Sequence, residues 1–206
     1  MSSGIVEKIK RIIFDLQDFF FEKWHGLEFS GIVTQQSLIT KDVESVKHAT
    51  AYHAVWCRNL RFLRKKVCEL GYFPKIFVDI GSGKGKACLY FFLKGFFVKY
   101  IGVEFSPPLV LVANRNKKIL RADAVSFVEG DASRYYLPDE DCFVFLFNPF
   151  GPVILREFVM NNIAHFKTRR SIIAYANDLH NDVLLESGFS LLFRDETRKL
   201  SVFSMK

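Results

Sequence analysis

The sequence predicts an α/β fold, a mostly parallel sheet with helices on both faces. Three observations predict it. From residue 76 onward, short apolar runs of strand length alternate with longer stretches at helical spacing, the pattern of strands joined by crossover helices. Several of these runs deliver a polar residue at their end: Asp79, Glu104, Asp131 and Asn148. The first run is followed by glycines at alternate positions, Gly81, Gly83 and Gly85, which allow a tight turn from strand to helix.

Each element follows in order. Residues 5–23 place Ile5, Ile9, Ile12, Leu16 and Phe19 at helical spacing among charged residues, an amphipathic helix expected to pack on the domain. Membrane-surface binding is the other use of such a helix. Residues 25–50 are polar and mixed, a connecting loop or lid. From 51 to 70 a helix sets Trp56, Leu60, Leu63, Val67 and Leu70 on one side, and Gly71 is placed to stop it. The core then reads strand 76–80, helix 84–94, strand 98–103, helix 107–121, strand 125–129 and strand 142–147. Helix 152–166, strand 171–176 and helix 179–187 follow. Pro107 and Pro108 suit a helix start, where a missing N–H is harmless. Strands Phe189–Arg194 and Arg198–Ser204 close the chain as a hairpin. This divides the chain into an N-terminal helix and lid, 1–50, and one α/β domain, 51–206.

Composition bounds the function. Half of the 206 residues are hydrophobic and 23 are Phe, so the chain can bury a substantial core. No uncharged apolar run is long enough to cross a bilayer, and the opening Met-Ser-Ser-Gly-Ile-Val-Glu-Lys lacks the shape of a signal peptide. Cys57, Cys68, Cys88 and Cys142 are scattered without metal-ligand spacing, which suits reduced core thiols, no metal and a cytoplasmic location. The net charge of +7 gathers around Arg58–Lys66, Arg115–Arg121 and Lys167–Arg170. Such clusters are either solvated helix faces or a surface for nucleic acid.

The segment Ile76-Phe-Val-Asp-Ile-Gly-Ser-Gly-Lys-Gly-Lys86 carries the chemistry. Its G-x-G-x-G spacing is not the dinucleotide G-x-G-x-x-G, because position 86 is Lys. It is not a P-loop either, since Val78 and Gly85 stand where Gly and Ser or Thr are needed. An acid two residues before alternating glycines suits a ligand with a positive amine and no phosphate, such as S-adenosylmethionine. The segment resembles the first motif of class I S-adenosylmethionine-dependent methyltransferases. The resemblance continues in order through Val98–Glu104, Val125–Ala132 and Cys142–Gly151.

That resemblance implies a Rossmann-like, seven-stranded sheet with the last strand antiparallel. It also implies roles for single residues. Asp79 favours the ammonium of the cofactor, and Gly81, Ser82, Gly83 and Gly85 run beneath its methionine part. Glu104 accepts hydrogen bonds from the ribose hydroxyls, and Asp131 with Ala132 faces the adenine amino group. Asn148-Pro149-Phe150 is similar to the Asn-Pro-Pro-aromatic motif of amino-group methyltransferases, with one proline fewer. The longer stretch Asn-Pro-Phe-Gly-Pro is also similar to a segment of seven-strand histone-lysine methyltransferases. It is most similar to small methyltransferases carrying Gly-Ser-Gly-Lys-Gly and Asn-Pro-Phe-Gly.

Nitrogen is therefore the expected acceptor atom, on a protein or a small molecule. In this reading carbonyl oxygens of Asn148 and Pro149 would hold an amine, and Phe150 would wall its pocket. Asn148 could instead cap the helix that follows. Tyr52 and His53 are weaker candidates for the substrate pocket, and His48 and His53 for a general base. Two other functions compete: modification of RNA or DNA through the basic clusters, and a catalytically silent binding subunit.

Overall fold

The structure, a computed structural model, describes residues 3–34 and 50–205, with backbone alone for residues 3–7. Its strands are β1 (Ile76–Ile80), β2 (Lys99–Glu104), β3 (Val125–Glu129), β4 (Cys142–Phe147), β5 (Ile172–Ala176), β6 (Ser190–Asp195) and β7 (Leu200–Ser204). Its helices are α1 (Ser3–His25), α2 (Cys57–Glu69), α3 (Lys86–Leu93), α4 (Pro107–Leu120), α5 (Pro152–Asn161), α6 (Ile163–Thr168) and α7 (Asn181–Glu186). The strands form one seven-stranded sheet in the order β3-β2-β1-β4-β5-β7-β6. All run parallel except β7, which pairs antiparallel with both β5 and β6. The expected Rossmann-like sheet, with the final hairpin inserting one reversed strand, is what the chain forms.

The strands are buried because helices cover both faces of the sheet. β1 is buried at every residue, as a central parallel strand should be. Alternation sends Phe77, Phe143 and Phe145 to one face, against Leu60 and Leu63 of α2 and Phe91 of α3. Val78, Ile80, Val103, Val144 and Leu146 go to the other, against Leu155 and Phe158 of α5 and Leu184 of α7. The many phenylalanines have a common centre. Around the Phe77 ring, those of Phe91, Phe97, Phe143 and Phe145 lie with centroids 4.9–6.2 Å away.

Strand order reverses between β2-β1 and β4-β5, so the crossovers leave a crevice at the carboxyl ends of β1 and β4. In register, Ile80 stands beside Val103 and Leu146, so the chain beyond all three strands emerges at one edge.

Three elements differ from expectation. The helix expected over 51–70 begins only at Cys57, because residues 50–52 are tied to loops elsewhere. The helix expected over 152–166 breaks at Asn162. There the buried amide accepts from Leu137 N–H and donates to the carbonyls of Tyr135 and Phe158, so it serves a neighbouring loop.

The third difference is the largest. The stripe of α1 expected to pack on the domain faces solvent: Ile9, Ile12, Leu16 and Phe19 are exposed, and the side chain of Ile5 lies outside the described set. The inward face holds acids instead. Asp18 accepts from Cys57 N–H and pairs with the buried Lys86, Glu22 accepts from the Ser30 hydroxyl, and Asp15 accepts from the Trp56 indole. The domain offers cations and donors at this surface, and the acids of α1 answer them, with Phe14 and Phe21 packed alongside on Trp56 and Tyr90.

Candidate active site

β1 ends at Ile80, and the chain turns through Gly81–Gly85 into α3. Gly81 and Gly83 both have positive φ, +77° and +53°, and both are closely approached. A Cβ on Gly81 would lie 2.2 Å from Pro149 Cβ, and one on Gly83 would lie 2.2 Å from the Tyr52 ring. The first glycine thus lets the turn touch the Asn-Pro segment, and the second seats Tyr52. Gly85 packs on Phe127 behind the turn, since a Cβ there would lie 2.3 Å from that ring.

Two buried acids support the turn from below. Glu104, at the end of β2, accepts from the backbone N–H of Gly83 and of Ser106, each at 2.9 Å. Burial pushes its carboxyl up, while those N–H groups draw it back. Asp79 is buried in β1, and desolvation pushes it well above the carboxylate range, with the Glu104 charge adding to the effect. Beyond β3, Asp131 accepts at 2.7 Å from both Ser133 N–H and the Ser133 hydroxyl, capping the single turn Ala132–Arg134.

Residues 50–53 cross above this arrangement as a strap. Thr50 N–H donates to the Pro149 carbonyl at 3.1 Å, and the Thr50 hydroxyl donates to the Asn148 carbonyl at 2.6 Å. Tyr52 forms a bridge with Val33, and its hydroxyl donates to the Phe29 carbonyl. Between strap and strand ends lies a narrow cavity of about 70 Å³, open to solvent. Gly81, Glu104, Asp131, Ala132, Pro149, Phe150, Tyr52 and His53 line it. Asp79, Ser82, Gly83 and Gly85 are not in its wall.

Asn148 opens instead onto a second, wider cavity beyond the strap, with His53, Asn177, Arg11 and Arg198. Its backbone is left-handed, φ 42°, a conformation Asn tolerates better than most residues. Its side-chain oxygen accepts from the Tyr175 hydroxyl at 3.1 Å. It does not cap α5, whose N-cap is Gly151 without a side-chain bond. His48 lies outside the described residues.

Residues 78–149 match a family model described as a methyltransferase domain. Over this stretch the chain is similar to methyltransferases. The match spans the glycine turn, Glu104, Asp131 and Asn148-Pro149.

Solved structures agree on the architecture of the chain. A ribosomal protein L11 methylase from Lactobacillus delbrueckii subsp. bulgaricus aligns at 11% identity and TM-score 0.51, over 71% of this chain and 77% of that one. A SAM-dependent methyltransferase from Aquifex aeolicus aligns at 13% and 0.52, over 73% and 98%. Magnesium protoporphyrin IX methyltransferase from Synechocystis PCC 6803, solved with bound SAM, aligns at 12% and 0.52, over 71% and 77%. At such identities the likeness is one of fold. No curated protein matches the sequence.

Sequence reasoning missed four residues. Lys84 and Lys86, which flank Gly85 at the end of the turn, both reach the N-terminal segment. Lys84 Nζ donates to the Ser30 carbonyl at 2.7 Å, and Lys86 pairs with Asp18. Thr50 ties the strap to Asn148-Pro149, and Tyr175 holds Asn148. A signal for Lys86 existed in the spacing of Asp15, Asp18 and Glu22, which share one helix face. None existed for Thr50 or Tyr175.

Proposed function

We propose that the enzyme methylates a nitrogen acceptor, on a protein or a small molecule, with Asn148 and Pro149 orienting the amine. The single observation that carries this reading is Asn148 itself: a left-handed, buried residue at a strand end whose side chain serves Tyr175 and no helix. A residue so held, with its oxygen positioned by a neighbour, suits an acceptor rather than a cap.

The residues at the cavity suit the cofactor by their chemistry. Glu104 lines it with a carboxylate that can accept more hydrogen bonds than the two N–H groups supply, as ribose hydroxyls require. The Ser82 hydroxyl, buried without a partner among the described residues, leaves a donor available at the turn. We assign Gly81, Ser82, Gly83 and Gly85 to the turn beneath the methionine part, with Asp79 behind it favouring the ammonium. Asp131 and Ala132 take the adenine end.

Bound, S-adenosylmethionine supplies an electrophilic sulfonium methyl group. The chain's own task is then positioning. The Asn148 side-chain oxygen and the Pro149 carbonyl each keep a lone pair beyond the Tyr175 and Thr50 donors, and these accept from the amine and aim its nitrogen. Phe150 walls the pocket with an aromatic face suited to a developing cation, and Tyr52 and His53 close it from the strap. The likeness of Asn-Pro-Phe-Gly-Pro to histone-lysine methyltransferases favours a protein amine.

Most of the basic clusters do not favour nucleic acid, because their members are engaged within the fold. Arg58 lies over Phe14, Arg64 over Phe97 and Arg170 over Tyr72, while Arg115 pairs with Glu28 and Arg169 with Asp139. The test is transfer of cofactor-labelled methyl into fractionated lysate. Label that survives nuclease and is lost with protease, or runs with small molecules, supports the reading. Label lost only with nuclease contradicts it.

A further inference from the structure

α1 presents two faces of opposite kind. Toward the domain it turns Asp15, Asp18 and Glu22, each satisfied by a donor there. Away from it stand Ile9, Ile12, Leu16, Phe19, Phe20 and Trp24, with Phe20 65% and Trp24 87% exposed. A contiguous apolar face of this kind marks an interaction site. Lys8, Lys10 and Lys23 are exposed around it; of the acids of residues 8–25, Asp18 and Glu22 are buried and the exposed Asp15, at the edge of the face, is held by the Trp56 indole. Lys23 extends along the face with Nζ 5.6 Å from the Phe19 ring centroid, so its charge reaches the rim while its stem adds apolar surface.

From this we infer that α1 is an interfacial helix that seats the enzyme on an anionic lipid bilayer. The charge arrangement selects this occupant. Apolar side chains flanked by lysines fit acyl chains beneath negative headgroups, and an indole at one end suits the headgroup boundary. A second copy of the chain would set lysines of like sign near one another. The helix lies on the surface and does not cross it: among the described residues no helix is long and apolar enough to span a bilayer. Because Arg11 and Asp15 of the same helix line the acceptor-side cavity, membrane seating also fixes where that cavity opens. The inference does not depend on the acceptor atom.

Flotation of the full chain with vesicles tests it. The chain should float with phosphatidylcholine vesicles containing phosphatidylglycerol, float less as salt is raised, and stay behind with phosphatidylcholine alone. Trp24 emission should shift to the blue on binding. Leu16→Asp with Phe20→Asp should cut the floated fraction by about tenfold or more. Melting temperature and cofactor binding should not change, since neither side chain packs in the core. Trp24→Ala, at a still more exposed position, should reduce flotation by about threefold and serves if the double variant fails to fold. Three results would overturn the inference: no flotation even at low salt, variants that float like wild type, or a solution dimer that Leu16→Asp dissociates in a chain that ignores vesicles. Binding to immobilised polyglutamate but not to vesicles would overturn it too, assigning the face to an acidic protein.

Discussion

At the scale of single residues, the roles we propose for Asn148 and Asp79 are separable. Glycine is at home at φ 42°, so Asn148→Gly removes the side chain without straining the backbone. We expect cofactor affinity near wild type and methyl transfer slower by about tenfold or more, since only acceptor positioning is lost. Unchanged turnover per folded molecule would remove Asn148 from the acceptor site. Asp79 makes a prediction in pH. Burial holds its folded pKa above the ordinary carboxylate value, so between the two values the folded protein binds more protons than the unfolded chain. Stability from this group is therefore greatest in acid and falls as pH rises from about 4 through the folded value. Asp79→Asn abolishes that loss. Without cofactor its melting temperature should match or exceed wild type at about pH 7, with the gap closing toward about pH 4. Cofactor affinity should fall, since the ammonium loses its counter-charge. A variant clearly less stable than wild type at neutral pH would contradict the account. Glu104, Asp131 and Asn148 were legible because each is a polar residue ending an apolar run. The grip of Glu104 on Gly83, and of Tyr175 on Asn148, was not, because pairings between residues 21 and 27 positions apart leave no local pattern.

At the scale of elements, strands read more truly than helices. An apolar run buried on both faces has one interpretation in an α/β domain, and β1 to β5 fell within a residue or so of expectation. A helix with two usable faces does not, and α1 shows why. Its apolar stripe implied packing on the domain, but the domain meets it with Lys86, the Trp56 indole and a free N–H, and the acids turn inward. The Asp18–Lys86 pair is nearly dry, with the lysine side chain 4% exposed, so removing one member strands the other. Asp18→Ala should cost about 3–5 kcal/mol and loosen α1 to proteolysis, whereas Asp18→Leu with Lys86→Met should recover much of the loss. Thermal melts and limited proteolysis of the three proteins check this. Equal stability of Asp18→Ala and wild type would mean that α1 is not held by this pair. Lys86 also begins α3 directly after the glycine turn, so Asp18→Ala should disturb that turn.

At the scale of the whole molecule, the sheet reversal, the glycine turn and the strap converge on one cavity. The sequence reading reached that cavity through strand ends, yet it placed the space in front of Gly83 at the cofactor's disposal, where the structure seats Tyr52. The strap could not be anticipated, because residues 50–53 look like the start of a helix until Thr50 is seen bound to Asn148 and Pro149. In the proposed site, cofactor binding would draw on the turn, the Glu104 carboxylate and the strap together, and ligand bound only by the folded state must raise its stability. Calorimetric titration of the intact chain tests this account most directly. S-adenosylmethionine and its demethylated product should each give saturable heat at one site per chain, and a reduced nicotinamide dinucleotide should give none. No heat from either methyl-cycle ligand, with saturable binding of the dinucleotide, would contradict it.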